Sequence, residues 1–438
     1  MTRAPTLLLL FLLVTRGAAA QDSVLRLTLD EAIARGLANS HRLAELHARR
    51  DGAEAREAAS ATATMPSVAV VGGYTRTNHV DEFGIVQPGQ PPRILYPDVP
   101  DNYRARIDLN WPIYSGGRAG ALERAAAAEG KAAGEELSAA RADLRLEIAR
   151  AFWALVSAIQ TEHVLARSLD SIAAHVAELR ARFEQGLIPP NDVLSAEAQQ
   201  SRQRVLAIEA RNTRAISEAD LRRLIGLDTP NRVEPDATLE AVPVPAPAPD
   251  GLLADARSGR PEARALANRV EASRAHEAAV AATARPQVGV NAGYDYARPN
   301  PRIFPRAGTW HDSWDVSVNV SWLLWDGGRR RAERAEAAAA SRAVEARAAD
   351  FDRQVAFEVR QRWLELDSSR AAIGAAGDGV RSAIEARRVV GERFGAGVIT
   401  SSEVVDADLA VLQAELDLTR ARANARLAEA RLNRAAGR

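Results

Sequence analysis

Apolar and polar residues alternate in four short segments of the chain, which is the pattern of β-strands with one apolar face. The alternation predicts two β-hairpins, over about 67–113 and about 287–322, and the stretch 78–102, rich in Pro, Gly and Asp, predicts a long loop in the first hairpin. A strand of about ten residues, at ~3.3 Å per residue and a tilt near 45°, spans roughly 23–25 Å, the height of the apolar band of an outer-membrane barrel. Tyrosines and tryptophans near the strand ends suit the membrane interface. The alternative is that the same segments form two hairpins of a soluble sandwich.

Outside the hairpins, apolar residues recur at three- and four-residue spacing, which predicts α-helices. Two of these helices are unusually long, about 118–185 and about 329–396, and neither contains a proline. At ~1.5 Å per residue each would extend roughly 100 Å, which is too long for burial in a compact domain. Four shorter helices, which in end-to-end pairs match the long ones in length, are predicted at about 30–63, 191–226, 252–284 and 402–436.

The hairpins and the long helices belong to an internal repeat. The segment around Trp111 recurs 211 residues later at Trp322, whereas the segment that begins at Pro66 recurs 220 residues later at Pro286. The difference of nine residues therefore falls in the loop of the first hairpin. The predicted organisation is a signal peptide, a first repeat, a Pro-rich connector and a second repeat, at residues 1–20, 21–228, 229–250 and 251–438.

The first twenty residues have the features of a secretory signal peptide. A basic start at Thr2-Arg3 is followed by an apolar run from Leu7 to Val14 and by three alanines that end just before Gln21. No later stretch approaches the ~20 apolar residues of a transmembrane helix. We therefore expect that any insertion into a membrane uses the strands.

The composition favours closely packed helices and gives no indication of an enzyme. Hydrophobic residues make up 47% of the chain, but only 5% are aromatic, and alanine, the strongest helix former, accounts for much of the rest. The 57 basic and 57 acidic residues cancel, so charge does not indicate a nucleic-acid partner. Cysteine is absent and the seven histidines form no metal-ligand pattern, so no catalytic residue, metal or cofactor is predicted.

The number of strands predicts an oligomer. Four strands in lipid would leave two unpaired sheet edges, and each unsatisfied backbone group there costs several kcal/mol. About eight strands form a barrel that its own side chains fill, so a conduit needs more. Three copies supply twelve strands. The predicted fold is mainly α with a membrane β-barrel portion: a trimeric twelve-stranded barrel, four strands per chain, continuous with a long α-helical coiled-coil barrel.

Two motifs, each present twice and in the same order, carry a resemblance to a known family. Each long helix begins at a Gly-Gly-Arg junction, Gly116–Arg118 and Gly327–Arg329, and ends in an Arg-Phe-x-x-Gly turn, Arg182–Gly186 and Arg393–Gly397. From about Leu25 onward the chain resembles the outer membrane efflux protein family, the TolC-like exit ducts of Gram-negative bacteria. The resemblance implies a homotrimer in outer-membrane lipid with a helical barrel in the periplasm, and the export of drugs, metals or proteins, as in type I secretion. It also implies two partners, a periplasmic adaptor (membrane fusion protein) and an inner-membrane pump of the RND, ABC or MFS type.

The resemblance points to candidate residues at the junctions and at the far turns. Leu323 stands where the first copy has Pro112, which the family often carries, so we expect the strand-to-helix bend to differ in one half. At the far turns glycine permits the left-handed conformation that ends a helix, and turn chemistry alone is one interpretation. The other is that these turns also dock the adaptor, as in the family. The junction candidates are Trp111, Gly116, Gly117, Trp322, Gly327 and Gly328, and the docking candidates are Phe183, Gly186, Leu187, Phe394, Gly397 and Val398.

Acidic residues just past the far turns are candidates for a gate: Asp192 after the first turn, and Glu403 and Asp406 after the second. Thr400 and Glu403 have capping-box spacing, and acids in a first helical turn complement the helix dipole, so capping alone is one interpretation. Asp406 lies one turn past Glu403 and can face the same way. Both match the family positions of an acidic ring at the periplasmic constriction, whereas Ser195 occupies the first-copy position equivalent to Asp406. Two carboxylates ~6 Å apart repel by about 3 kcal/mol at an effective dielectric near 20, so such a ring would attract cations and resist closing.

The sequence thus predicts a trimeric outer-membrane exit duct of a tripartite efflux or secretion system. The alternative function is a periplasmic coiled-coil adaptor or scaffold without a channel of its own. An adaptor would have one long helical hairpin and a soluble β domain, whereas this chain duplicates strands that alternate at membrane length.

Overall fold

The structure, a computed structural model, describes residues 24–227 and 232–438, so the predicted signal peptide lies outside it. In chain order its elements are β1 (Leu25–Leu27), α1 (Leu29–Asn39), α2 (His41–Ala61), β2 (Ser67–Arg76), β3 (Phe83–Ile85), β4 (Arg93–Tyr96), β5 (Asp101–Tyr114), α3 (Arg118–Glu184), α4 (Pro190–Leu224), β6 (Val233–Pro235), α5 (Pro249–Gly259), α6 (Pro261–Ala282), β7 (Gln287–Arg298), β8 (His311–Ser321), α7 (Arg329–Gly395) and α8 (Ser401–Ala435).

The mainly helical chain divides into two compact units, and each contains segments of both predicted repeats. The division into repeats therefore describes the sequence rather than these units, and it stays a prediction. We call the units the sheet unit and the turn unit. The sheet unit comprises His41–Ala142, Pro247–Gln361 and Ala435–Arg438, and the turn unit comprises the chain up to Ser40, Asp143–Ala246 and Arg362–Arg434.

The sheet unit contains an antiparallel sheet in the order β2-β5-β7-β8, with β2 and β8 at its edges. Apolar side chains lie on one face, where Ile107 is opposite Tyr294, and charged side chains lie on the other, where Arg106 is opposite Asp295. The segment 78–102, predicted to be a loop, also contains the short antiparallel pair β3 and β4. Strands of three and four residues are too short for alternation to reveal them in a sequence.

Two of the shorter helices differ from the prediction because each is broken near its first third. The helix expected over 30–63 ends at Asn39 and restarts at His41, because Ser40 has an extended backbone with ψ 113°. The helix expected over 252–284 is broken at Arg260, whose ψ is 122°. Pro261, the first residue of α6, has no N–H to donate and sits where a helix can begin but not continue.

The turn unit contains the small parallel pair of β1 with β6, and the two far turns. Its core is formed by side chains such as Ile148, Phe152 and Leu155, all fully buried on α3. A second cluster near the turns contains Leu179 and Phe394. Both long helices have 67 residues and both helices that follow them have 35.

Candidate functional site

The two strand-to-helix junctions share one hydrogen bond. The indole Nε1 of Trp111 donates to the carbonyl oxygen of Thr64 at 3.1 Å, and that of Trp322 donates to the carbonyl oxygen of Ala284 at 3.0 Å. In each case the acceptor lies just before the strand that pairs with the tryptophan's own hairpin strand. Each tryptophan therefore ties the end of its hairpin to the beginning. The glycine pair that follows has positive φ in both copies, from 68° to 95°.

The surroundings of the two junctions differ. A Cβ atom on Gly116 would lie 2.9 Å from the carbonyl oxygen of Ala282 and 2.8 Å from the Cβ of Arg285, whose Nη1 donates to the Gly116 carbonyl oxygen at 3.0 Å. Among the residues that the structure describes, no such neighbour lies within 4 Å of a Cβ on Gly327. Close by, the side chain of Trp325 is 81% exposed.

The strands leading into the junctions also end differently. β5 continues through Pro112 to Tyr114, which pairs with Val288 of β7 after a bulge, whereas β8 ends at Ser321, before Leu323. This difference in where the strands end follows from pairing, because in the described chain the segment after β8 has no strand on its outer side. The expected difference in the bend stays a prediction.

The far turns that join α3 to α4 and α7 to α8 have the same backbone. Gly186 and Gly397 have φ of 72° and 73°. The amide of Leu187 donates to the carbonyl oxygen of Arg182 at 2.9 Å, and the equivalent bond in the second turn is 3.0 Å. These bonds satisfy carbonyls that a helix end leaves free. Turn chemistry therefore accounts for both glycines.

The docking candidates in these turns fall into two groups. Leu187 and Val398 are 68% and 66% exposed, and Phe183 is partly exposed. Phe394, at the position equivalent to Phe183, is only 8% exposed, and the guanidinium of Arg182 lies 4.5 Å from its ring centre. Phe394 therefore supports the turn from inside rather than offering a contact surface.

The acidic candidates lie in the first turns of the helices that follow. Glu403 is exposed, and its carboxylate accepts a long hydrogen bond of 3.5 Å from the backbone nitrogen of Thr400. This is one of the two hydrogen bonds of a capping box. Asp406 is exposed one turn later and has no hydrogen-bond or ion-pair partner in the described part of the chain. Asp192 is half-buried in the first turn of α4, where Asn191 donates to its carboxylate at 3.2 Å. Capping thus explains Glu403 but gives no reason for Asp406.

A buried histidine lies beside these residues, and the sequence analysis did not single it out. His175 of α3 has Nε2 3.1 Å from the Oγ of Ser401, the first residue of α8, and its ring meets Phe394 edge-on at 5.6 Å between centroids. It therefore joins α3 to the end of α7 and the start of α8. A lone histidine on a long helix carries no sequence pattern that would predict this contact.

The charges around His175 oppose one another. Burial lowers the pKa of His175, while Glu178 and Asp408 act to raise it and Arg182 acts to lower it. Burial raises the pKa of the Asp408 carboxyl, against the attraction of Arg387 at 3.7 Å. A fall in pH therefore gives the His175 ring a positive charge and neutralises the carboxylate of Asp408.

The polar face of the sheet carries a network of charges centred on Arg106. Its guanidinium lies 2.6 Å from Asp108, 3.1 Å from Asp315 and 3.4 Å from Asp295. Arg104 also donates to the buried Asp295, at 2.8 Å from Nε. The network links β5, β7 and β8 across the sheet. Alternation predicted that these side chains share a face but not that they pair.

In residues 24–227 and 232–438 no three His, Asp or Glu side chains are grouped so that they could hold a metal ion. No helix in that part of the chain is both long enough and apolar enough to cross a membrane.

The family described as outer membrane efflux protein matches residues 32–227 and 252–438 of the chain. The chain belongs to this family. The outer membrane protein TolC of Vibrio cholerae is 23% identical to this efflux protein over 404 residues, which cover 91% of this chain and 88% of TolC. Solved structures with the same fold include VceC of Vibrio cholerae, with a TM-score of 0.78, 19% identity and coverage of 93% of this chain and 96% of VceC. Another is the MtrE outer membrane channel of Neisseria gonorrhoeae, with a TM-score of 0.77, 18% identity and coverage of 93% and 88%.

Membership of the family confirms the predicted resemblance and places the efflux protein in the outer membrane of a Gram-negative bacterium, with its helical part in the periplasm. It also decides against the alternative of a periplasmic adaptor. The family is described as outer membrane efflux proteins, so efflux transport is the activity of the family to which this chain belongs.

Proposed function

We propose that three copies of this efflux protein form an exit duct, with a twelve-stranded barrel in outer-membrane lipid that continues as a barrel of helices. The observation that carries the proposal is the pair of open sheet edges. Within the described residues β2 pairs only with β5, and β8 pairs only with β7. Unpaired backbone groups at those edges would each cost several kcal/mol in lipid. A ring of copies pairs every edge, and three copies exceed the eight strands that side chains alone would fill.

The two faces of the sheet support the proposed placement. The face of Ile107 and Val318 is apolar and would contact lipid, whereas the network around Arg106 would line a water-filled interior. At one end of the apolar face a chain of aromatic contacts, with ring centres 5.0–6.0 Å apart, would mark the membrane interface. Its members are Tyr74, Tyr103, Trp310 and Tyr296.

The duct would receive its substrates through two partners. An inner-membrane pump of the RND, ABC or MFS type would supply them, and a periplasmic adaptor would hold the duct at its far turns. The exposed apolar side chains Leu187 and Val398, with Phe183 beside them, are the surface we assign to the adaptor. Exposed apolar side chains offer the kind of surface against which an amphipathic partner helix packs its apolar face.

Near those turns, Glu403 and Asp406 would form the acidic ring of the gate, and Asp192 would add a second tier. Support for this assignment comes from Asp406, whose exposure and lack of a partner among the described residues are not explained by helix capping. Three copies would bring several carboxylates together. Their repulsion would resist closing and their charge would favour cations.

The proposed duct can be tested by measuring the oligomeric state and the ion conductance of the protein. Purified from outer membranes in mild detergent, the protein should have the mass of three chains, migrate as a trimer on an unheated gel and conduct ions in planar bilayers. A water-soluble monomer that conducts nothing would refute the proposal.

A double substitution tests the gate. E403Q with D406N removes the charges but keeps the shapes, and we expect the cation-to-anion permeability ratio to fall at least about twofold, because the ring no longer attracts cations. D30N, which removes an exposed acid from the first turn of α1, is the matched control for helix capping. If the reversal potential of the double variant in a salt gradient equals that of the unaltered protein, the gate assignment is wrong and Glu403 serves only as a cap.

A further inference from the structure

The two hairpins have the same pairing register once the repeat offsets are applied. In the first hairpin Ser67 lies opposite Asn110, and in the second Gln287 lies opposite Ser321. Ser67 and Gln287 are 220 residues apart, and Asn110 and Ser321 are 211 apart. The offsets found in the sequence therefore hold at the level of individual strand pairs.

The tryptophan bonds at the junctions obey the same two offsets. Trp111 and Trp322 are 211 residues apart, and their acceptors Thr64 and Ala284 are 220 apart. This agreement comes from hydrogen bonds of side chains rather than from the backbone pairing of the strands. The equivalence of the two halves is thus supported twice, by independent contacts.

One strand contact, between β5 and β7, has no counterpart among the residues that the structure describes. It joins the last strand of the first hairpin to the first strand of the second, with Ile107 opposite Tyr294 and Asp108 opposite Gly293. Under the offsets, β5 corresponds to β8 and β7 corresponds to β2. These are the two open edges of the sheet. Because neighbouring strands alternate in direction, β8 of one copy and β2 of the next run antiparallel, as β5 and β7 do.

We propose that β8 of one copy pairs with β2 of the next copy in the register that β5 and β7 already show. The inference rests on the proposed trimer and specifies its interface. Val320 lies opposite Gly72 of the next copy, and Asn319 lies opposite Gly73. The partner is a second copy of this chain, joined head to tail, and such an interface closes into a ring when the rotation permits.

The exposed residues after β8 fit this interface. Tyr114 pairs with Val288 in the first junction, so its equivalent, Trp325, pairs with Val68 of the next copy. Tyr114 is 47% exposed where it has this neighbour, so the contact covers part of a tryptophan that is 81% exposed in the single chain. A large apolar side chain left exposed at a sheet edge invites association.

The junction glycine acquires neighbours in the same way. Gly116 lies against Ala282 and Arg285, and the equivalents of those two residues are Thr62 and Met65. Gly327, which has open space in the described chain, therefore lies against Thr62 and Met65 of the next copy. The second junction becomes as crowded as the first only when the ring is closed.

The test must distinguish the proposed register from the registers in which β8 is shifted by two residues along β2 of the next copy. A slip of one residue would turn the apolar side chains of β8 to the polar face, which the pattern forbids. A slip of two keeps the faces and would bring Val320 opposite Val70 or Tyr74. Side chains directly opposite have Cβ atoms about 4.5–5.5 Å apart, whereas diagonal neighbours lie farther apart at about 7–8 Å between strand positions. A disulfide needs Cβ atoms about 3.5–4.5 Å apart, so cross-linking distinguishes these registers.

The chain contains no cysteine, so introduced pairs can be read without background. V320C with G72C tests the apolar face, and N319C with G73C tests the polar face, so that both kinds of ladder position are sampled. After mild oxidation we expect each pair to give covalent dimers and trimers on a non-reducing gel, with most of the protein shifted and full reversal by reductant. V320C with V70C and V320C with Y74C are the controls and should cross-link at least about fivefold less.

The outcomes separate the inference from the proposed duct. An unaltered protein that is monomeric would overturn the duct and this interface together. An intact trimer in which a control pair cross-links better than V320C with G72C would overturn only the register. An intact trimer in which neither test pair cross-links would overturn the pairing of β8 with β2.

Discussion

Replacing Gly116 by alanine should destabilise the efflux protein, and the cost can be worked out from the junction. With φ at 68° the residue is in the left-handed region, where a side chain with a Cβ atom costs about 1–2 kcal/mol. The new Cβ would also lie 2.9 Å from the carbonyl oxygen of Ala282 and 2.8 Å from the Cβ of Arg285. Overpacking of this kind typically costs about 1–3 kcal/mol. Together these give a loss of roughly 2–5 kcal/mol.

Gly327 provides the matched variant. It has the same φ of 68°, but within the described chain a Cβ there meets nothing within 4 Å. If each copy stood alone, G327A would lose only the conformational part, about 1–2 kcal/mol. In a ring with the inferred interface, Thr62 and Met65 of the next copy crowd the same position. We therefore expect G327A to lose as much as G116A.

Thermal melting of the detergent-solubilised protein, followed by circular dichroism, measures both losses. The loss of the trimer band after graded heating in SDS gives a second reading. G134A is the control, because Gly134 lies inside α3 with open space around it and alanine there should stabilise the helix by about 1 kcal/mol. If G116A melts no lower than the unaltered protein, the steric reasoning is wrong. If G327A falls clearly less than G116A, the crowding of the second junction by another copy is wrong.

Three further predictions concern the turn unit and the sheet. Burial lowers the pKa of His175 from 6.5, so the stability that the neutral ring contributes is fully present above that pH. Stability falls as the pH decreases below 6.5, because the unfolded chain then binds the proton more readily than the folded protein does. H175Q should therefore flatten the dependence of the melting temperature on pH between about pH 8 and pH 5. D295N removes the buried acceptor of two arginines and should lower stability by about 2 kcal/mol in the same melting assay, whereas D312N, which alters an exposed acid near the start of β8, should change it little. L187D with V398D should abolish co-purification of the cognate adaptor while the trimer band persists, and retention of the adaptor would show that docking lies elsewhere.

Much of the fold follows from the spacing of apolar residues and from the glycines that end strands and helices. The first long helix was expected over 118–185 and runs from Arg118 to Glu184, because Gly-Gly breaks the strand before it and a left-handed glycine ends it. The strands follow from alternation in the same way. The breaks at Ser40 and Arg260 were missed, since helical residues lie on both sides and a single extended residue leaves no periodic signal.

The candidate site was less predictable, because local pattern does not determine burial. Phe183 and Phe394 follow the same arginine in the same turn, yet one is partly exposed and the other is buried against His175. That difference depends on which helices pack nearby. The network around Arg106 was missed for a related reason: alternation gives the face of a side chain, whereas its partner depends on the strand order.

The repeat explains why the departures from it are the informative positions. Positions at which both copies agree, such as Trp111 with Trp322, build the same hydrogen bond twice and are accounted for by the fold. Asp406 has Ser195 as its equivalent, and no contact in the described chain explains the acid there. In the proposed trimer a carboxylate present in only one half of the chain would occur once in each copy. That would give three carboxylates related by the threefold axis, an arrangement that suits the proposed constriction and that helix capping does not require.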